Sequence, residues 1–474
     1  MQEIQSNDAT SMAAGAARGE HQPERALVPK TPKRASGGYP IVGHAIEFAT
    51  DCLGLLWRAY QEHGEVSALK VFNKDIVLFT GPRAQEAMYR QPDEVLSPNE
   101  AYEIMVPVFG KDVVYDAPPE RMAEQFGMIR PALQDKRMRT YGEIVSEETR
   151  RAVAEWGESG EICLVEFCAQ LTNFTSTHCL IGREFRERMS DEFAKVYYDL
   201  ECGVTPASYI HANLPLPSVW RRDRARLRLV EMIGEIVQAR RKSGHEGEDF
   251  LQTLMDAQYK DGSKLSEHEI TGMLLAAMFA GHHTSSVTTA WTLIELLQHP
   301  DYLDRVMNEL NQVYPDGAEV TFQSLRQIPL TEYAVKEALR LHPPLYILLR
   351  SVVSTFEYDG YVFPKGTWIA NSPWVSHRIP GVFTNPERFD PDRFGPGREE
   401  DKKQFTFVSF GGGRHKCLGN AFALLQVKTI FAVLLRGFEF ELLHDPVVPQ
   451  SGLVMGPKKP FRVRYRRVRP NGAF

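Results

Sequence analysis

Apolar positions recur at helical spacing over long stretches of this chain and alternate with polar positions over only a few short ones. The helical pattern covers residues 119–156, 186–200, 222–258, 266–298, 300–313, 331–341 and 418–436. Strand patterns occupy 65–72 and 75–80, turning at Asn73-Lys74. A second pair, Ser354–Tyr358 and Tyr361–Ala370, turns at Asp359-Gly360. Segment 266–298 opens with Ser266 and Glu269 at capping-box spacing and closes at His299-Pro300. At 1.5 Å per residue it would run ~48 Å, and its apolar middle, MLLAAMFAG, predicts a path through a core. Strands and helices do not alternate regularly, so a doubly wound sheet is not expected. The predicted class is mainly α with small β-sheets.

Length alone, 474 residues, would suggest two or three domains. The chemistry-bearing motifs are scattered and must converge, so one unit is expected over 37–474, preceded by a disordered polar tail over 1–36. The net charge of −6 argues against nucleic acid as a partner. No stretch of ~18–20 apolar residues supplies a transmembrane anchor. Six cysteines in so long a chain form no disulfide scaffold, which fits a reducing compartment. A cytoplasmic monomer is expected.

One cysteine stands apart. Residues 405–422 read FTFVSFGGGRHKCLGNAF, so Cys417 follows three consecutive glycines and precedes a helix. Glycines in series permit unusual backbone angles or a very close approach by another group. Arg414, His415, Lys416 and the helix N-terminus predict a favoured thiolate, the form that binds metal. Elsewhere, Glu337 and Arg340 share a helix face in KEALRLHPP. Ala277, Gly281 and Thr284 fall on one face of segment 266–298.

These motifs together resemble those of the cytochromes P-450. The cysteine segment is similar to that family's haem-binding loop, F-x-x-G-x-R-x-C-x-G, through Phe410, Gly413, Cys417 and Gly419, with His415 where arginine is more common. The resemblance implies the P-450 fold, a long central helix crossing haem b, and Cys417 as axial ligand to the iron, donating electron density. It implies further cofactor contacts from His415, Arg350, Tyr102, Tyr115, Phe410 and Gly411. It also implies a structural network of Glu337, Arg340 and Arg388, the last from Pro386-Glu387-Arg388-Phe389, that holds the cysteine loop. Ala280-Gly281-His282-His283-Thr284 occupies the place of the oxygen-activation motif, with His283 where an acid is usual. Thr284 and His283 are accordingly the catalytic candidates, since histidine passes protons near neutral pH.

FAGHHTSS and the stretch AYEIMVPVFGKDVVYD over 101–116 resemble the sterol 14α-demethylases in particular. That implies three successive oxidations of one sterol methyl group, each consuming O2 and two electrons. Tyr102, Ile104, Met105, Phe109, Ala280, His283 and Ile347 are the expected substrate lining. Two positions depart from the pattern. Ile104 stands where Phe or Leu is typical, and Phe126 stands where relatives place a basic haem contact that Arg121 or Arg130 would have to replace. No flavin or iron–sulfur motif is present, so electrons are expected from a separate ferredoxin or flavodoxin with its NAD(P)H-dependent reductase, docking at Arg414 and Lys416. The alternatives are a monooxygenase of the same fold acting on another terpenoid or lipid, a peroxide-rearranging enzyme, and a haem sensor that never turns over.

Overall fold

The computed structural model describes residues 29–133, 135–188, 190–204, 212–213, 215–244, 249–443, 447–450, 452 and 454–469. Among the described residues the body is built mainly on the helices α1 (Pro119–Ile129), α2 (Asp135–Val153), α3 (Leu164–Ile181), α4 (Ser190–Glu201), α5 (Pro217–Ser243), α6 (Glu267–Gln298), α7 (Pro300–Val313), α8 (Pro329–Leu341) and α9 (Asn420–Gly437). The strands are β1 (Lys33–Arg34), β2 (Val66–Val71), β3 (Lys74–Phe79), β4 (Leu96–Ser97), β5 (Ser159–Cys163), β6 (Leu348–Val352), β7 (Phe356–Tyr358), β8 (Tyr361–Phe363), β9 (Trp368–Asn371), β10 (Phe438–Leu442), β11 (Pro449–Gln450), β12 (Gly456–Pro457) and β13 (Arg462–Arg467). A mixed sheet runs β1-β2-β3-β9-β6-β4, and a smaller one runs β10-β13-β5.

The long helix α6 is the axis. Ser266 accepts from the Glu269 N–H while the Glu269 carboxylate accepts from the Ser266 N–H at 2.8 Å, which completes the expected capping box. Helices α3, α5, α7, α8 and α9 all pack on it. The main core joins these helices, and two smaller apolar clusters lie on the two faces of the six-stranded sheet. Helix α9 is apolar enough to cross a bilayer by composition, yet it is mostly buried in this core.

Several elements differ from expectation. Order starts before residue 37: Lys33–Arg34 pairs in parallel with β2, and Ala35 is buried, so this part of the expected tail belongs to the sheet. Residues 1–28 of that tail lie outside the described residues. The predicted helix 119–156 is two helices, because Pro131 lacks an N–H and restricts its predecessor; a 3-10 turn over Arg130–Leu133 separates them. The predicted 222–258 also divides. Gly244 ends α5 in the left-handed region at φ 65°, and Asp249 caps the separate helix Phe250–Asp256. The predicted strand Tyr361–Ala370 is two short strands in different sheets. Helix α3 was not predicted at all. Its Thr172 and Thr175 hydroxyls donate to carbonyls four residues earlier, at 2.8 Å and 3.0 Å, so polar residues sit buried and no amphipathic stripe marks the helix.

Candidate active site

The cysteine loop is held from beneath by a buried charge network. Glu337 and Arg340, one turn apart on α8, pair at 2.8 Å with no exposed side-chain surface. A buried pair needs further partners to offset its desolvation. Arg340 also donates to the carbonyls of His377, Pro386 and Arg388. The third charged member is Arg393, whose Nε donates to Glu337 Oε1 at 3.0 Å and whose side chain is fully buried. Arg388 was expected in that role, but its side chain is exposed and only its carbonyl joins. The sequence carries two similar tetrapeptides, Pro386-Glu387-Arg388-Phe389 and Pro391-Asp392-Arg393-Phe394, and the 3-10 turn over the second points its arginine inward.

From this network a relay of hydrogen bonds reaches the loop. His377 Nδ1 donates to the Arg340 carbonyl at 3.1 Å, and His377 Nε2 accepts from the Val408 N–H at 3.0 Å. Ser409 donates to the Leu339 carbonyl, and the Cys417 N–H closes the loop onto the Phe410 carbonyl at 2.8 Å. Gly413, at φ 61°, passes so near Tyr89 that a Cβ would sit 1.9 Å from its carbonyl oxygen. No other residue fits there.

Cys417 alone among the six cysteines is exposed. Burial by the surrounding protein nonetheless raises the pKa of its thiol, against the opposing Gly419 N–H and Lys416 charge. The local backbone donor and positive charge act in the direction expected from the sequence, while burial acts against them. Ionisation of this sulfur calls for a bound cation, and a coordinating metal supplies one.

The opposite wall is α6. Within a stretch of that helix where most side chains are buried, Ala280 is exposed, and Ala276, Ala277, Gly281, His283 and Thr284 are part-exposed. These small residues leave a strip of open surface along one face. The ring of Phe422, on the helix that follows Cys417, approaches this strip, since a Cβ on Gly281 would lie 4.0 Å from it. Thr284 Oγ1 donates to the Ala280 carbonyl at 2.6 Å, the ordinary bond of a mid-helix threonine. His283 Nε2 lies 2.9 Å from Glu201 Oε1 at the end of α4. No sequence motif marked Glu201.

The stretch 101–116 forms the third wall. Tyr102 stacks on Tyr115 with ring centroids 4.2 Å apart. Phe109 meets Phe279 of α6 edge-on at 5.9 Å, and Ile104 and Met105 are buried beside them. Burial raises the Tyr115 phenol well above its ordinary pKa, and Tyr102, Arg350, Cys417 and Asp93 are the charges it feels. The stacked Tyr102–Tyr115 pair thus stands beside the cysteine loop, with the Tyr115 ring 6.4 Å from that of His415. Phe410 packs on the main core and Gly411 turns at φ 66°, whereas Ile347, just before β6, packs against the apolar cluster on one face of the sheet.

His415 has a partner that sequence reading missed. Its Nε2 donates to Asp93 at 2.5 Å, with both side chains nearly buried. Burial alone would raise the Asp93 carboxyl, but His415, Arg414 and Arg350 outweigh it and hold the group below its ordinary range. Phe126 lies edge-on to His415 at 6.3 Å, so an apolar ring fills the place of the missing basic contact. Arg121 does not replace it: it is paired with Glu269 at 2.8 Å. The donor set suits a flat, anionic, metal-centred macrocycle. One exposed thiol, a strip of small residues on α6, and aromatic, arginine and histidine side chains are the groups that would hold it.

Comparison with known proteins agrees with this geometry. The family model described as Cytochrome P450 matches residues 32–464. A sterol 14alpha-demethylase of Mycolicibacterium vanbaalenii is 45% identical over 92% of this chain and 97% of its own length. That of Mycobacterium tuberculosis is 43% identical over 92% of this chain and 98% of its own. The obtusifoliol 14-alpha demethylase of Sorghum bicolor is 38% identical, covering 91% and 89% respectively. Among solved structures, the retinoic acid bound cyanobacterial CYP120A1 aligns with a TM-score of 0.82 at 23% identity, covering 93% of this chain and all of that one.

Proposed function

Because the chain belongs to the cytochrome P450 family, as a haem-thiolate monooxygenase akin to the sterol 14α-demethylases, we propose that its substrate is a sterol and that it removes the 14α-methyl group in three successive oxidations. The methyl becomes an alcohol, then an aldehyde, and leaves as formate while a ring double bond forms. When bound through Cys417, haem b supplies the activation of O2. The observation that carries the reading is the single face of α6 on which Ala280, His283 and Thr284 open, flanked by the Tyr102–Phe109 wall through the Phe109–Phe279 contact.

In this reading Tyr102, Ile104, Met105, Phe109 and Ala280 line the sterol site, an apolar enclosure with few polar groups. Ile347, just before β6, completes the lining in this reading. Thr284 holds a proton at Oγ1, and His283, backed by the Glu201 carboxylate, passes protons to it from the α4 side. His415, Arg350 and the Tyr102–Tyr115 pair hold the propionate edge of the haem by charge-assisted hydrogen bonds. Phe410 and Gly411 shape the loop against the sulfur's side. Electrons come from a separate ferredoxin or flavodoxin that docks on the exposed Arg414 and Lys416. The six free cysteines support a cytoplasmic setting, and the protein acts as a monomer in this reading.

The test uses the purified haem-loaded protein with a surrogate redox pair. Lanosterol, eburicol and obtusifoliol should each be offered, with fatty acids as controls. A 14α-methyl sterol should displace the water ligand and shift the absorption spectrum, and mass analysis should show loss of the methyl with release of formate. A spectral response and turnover with the fatty acids, but with no sterol, would overturn the assignment.

A further inference from the structure

His282, His283 and Glu201 form a cluster that proton transfer to Thr284 does not fully use. Their donor atoms lie within 4.8 Å of one another, the one such grouping of three among the described residues. His283 Nε2 is 2.9 Å and His282 Nε2 is 3.8 Å from the same Glu201 Oε1. Despite the short distance, neither His283 Nε2 nor Glu201 Oε1 has a hydrogen-bond partner. The atoms converge on a shared point instead of aligning as donor and acceptor.

The arrangement around His282 favours one tautomer. Its Nδ1 lies 3.1 Å from Thr172 Oγ1, a hydroxyl with carbonyl acceptors at Cys168 (2.8 Å), Ala169 (3.3 Å) and His282 (3.3 Å). With the hydroxyl proton given to a carbonyl, Nδ1 carries the imidazole proton and Nε2 is left as the acceptor on the Glu201 side. An imidazole so oriented by a bond from its other nitrogen is the usual state of a metal-ligating histidine. Rings at 282 and 283 stand 4.7 Å apart, and Tyr197 closes one side at 6.1 Å from His282. Burial lowers the His282 pKa from its ordinary 6.5 to about 3, with His283 and Lys459 adding to the effect, so the ring is neutral and able to ligate near pH 7.

We propose that Glu201, His282 and His283 bind a divalent transition ion, with zinc the best match, and that this ion inhibits the enzyme. Two imidazole nitrogens and one carboxylate oxygen form a three-ligand set with the fourth position left to water. The ion would occupy the His283 lone pair that proton passage needs and would tie α4 to α6. Binding itself stands independently of the sterol reading; only the inhibition rests on the proton role given to His283.

The experiment measures zinc uptake by chelator-treated, haem-loaded protein in equilibrium dialysis, with neither substrate nor redox partner. Wild type should retain about one zinc more than Glu201→Gln, and Thr172→Val should weaken binding by about 10-fold through loss of ligand orientation. Each variant is first checked for an intact thiolate-ligated carbon monoxide spectrum. Equal zinc retention by wild type and Glu201→Gln overturns the site. If Glu201→Gln fails to hold haem, Thr172→Val decides, and an unchanged affinity in that variant overturns it equally. Sterol turnover is measured separately, so failure of the substrate assignment leaves this result readable.

Discussion

Arg388 and Arg393 stand in near-copies of one tetrapeptide, and burial alone tells them apart. Arg393 neutralises Glu337 in the interior, whereas Arg388 points to solvent. Removing Arg393 takes one of two buried cations from Glu337, which keeps Arg340, so the cost should lie at or below the roughly 3–5 kcal/mol of breaking an isolated buried pair. Arg393→Ala should therefore lower thermal stability sharply and lose the carbon monoxide spectrum of thiolate-ligated haem, while Arg388→Ala should retain both. His377 gives a second residue-scale prediction. Burial lowers its pKa from the ordinary 6.5 to about 3, and its Nε2 accepts from the Val408 N–H. Protonation would set a donor against a donor. The folded state thus binds fewer protons than the unfolded one below pH ~6.5, so this contribution is fully present above that pH and declines toward 3, by up to ~1.4 kcal/mol per pH unit. Unfolding midpoints measured from pH 7 to 5 should fall less steeply in His377→Gln, which keeps one donor and one acceptor.

At the scale of elements, α6 carries two glycines with opposite requirements. A Cβ on Gly272 would lie 2.1 Å from the Phe109 carbonyl oxygen, so the wall over 101–116 touches the helix backbone there. A Cβ on Gly281 would meet nothing nearer than 3.8 Å. Gly272→Ala should cost about 1–3 kcal/mol by overpacking and displace the Phe109 wall. Gly281→Ala should leave the fold as stable or slightly more so, since alanine suits a helix interior better. Thermal unfolding compares the stabilities, and ligand titration reports the wall. Equal melting temperatures for the two variants would contradict the close approach at Gly272.

Across the whole molecule, the cysteine loop faces two ways. Its inner side is fastened through His377 and Ser409 to the α8 network, and its outer side presents Arg414 and Lys416 to solvent. An exposed cationic pair beside the metal ligand suits steering of an acidic electron donor, an effect carried mainly by association rate and screened by salt. Arg414→Glu with Lys416→Glu should slow electron transfer at low ionic strength and flatten its salt dependence. Stopped-flow reduction measures both. Unchanged rates would move the docking surface elsewhere.

Much of this was legible along the chain. The capping box, the length of α6, the glycine–cysteine loop and the pairing of Glu337 with Arg340 are local patterns, and local patterns survive in one dimension. They sufficed to indicate a mainly helical fold and a thiolate-bound haem. What the chain alone could not decide was long-range: which of two arginines turns inward, that Asp93 meets His415 across 322 positions, and that Glu201 stands against His283. Nor could it show α3, whose buried hydroxyls erase the amphipathic signal, or the raised thiol of Cys417. Each of these depends on burial and on partners distant in sequence. Desolvation and pairing are set by the surroundings that folding assembles, so no spacing of residues encodes them.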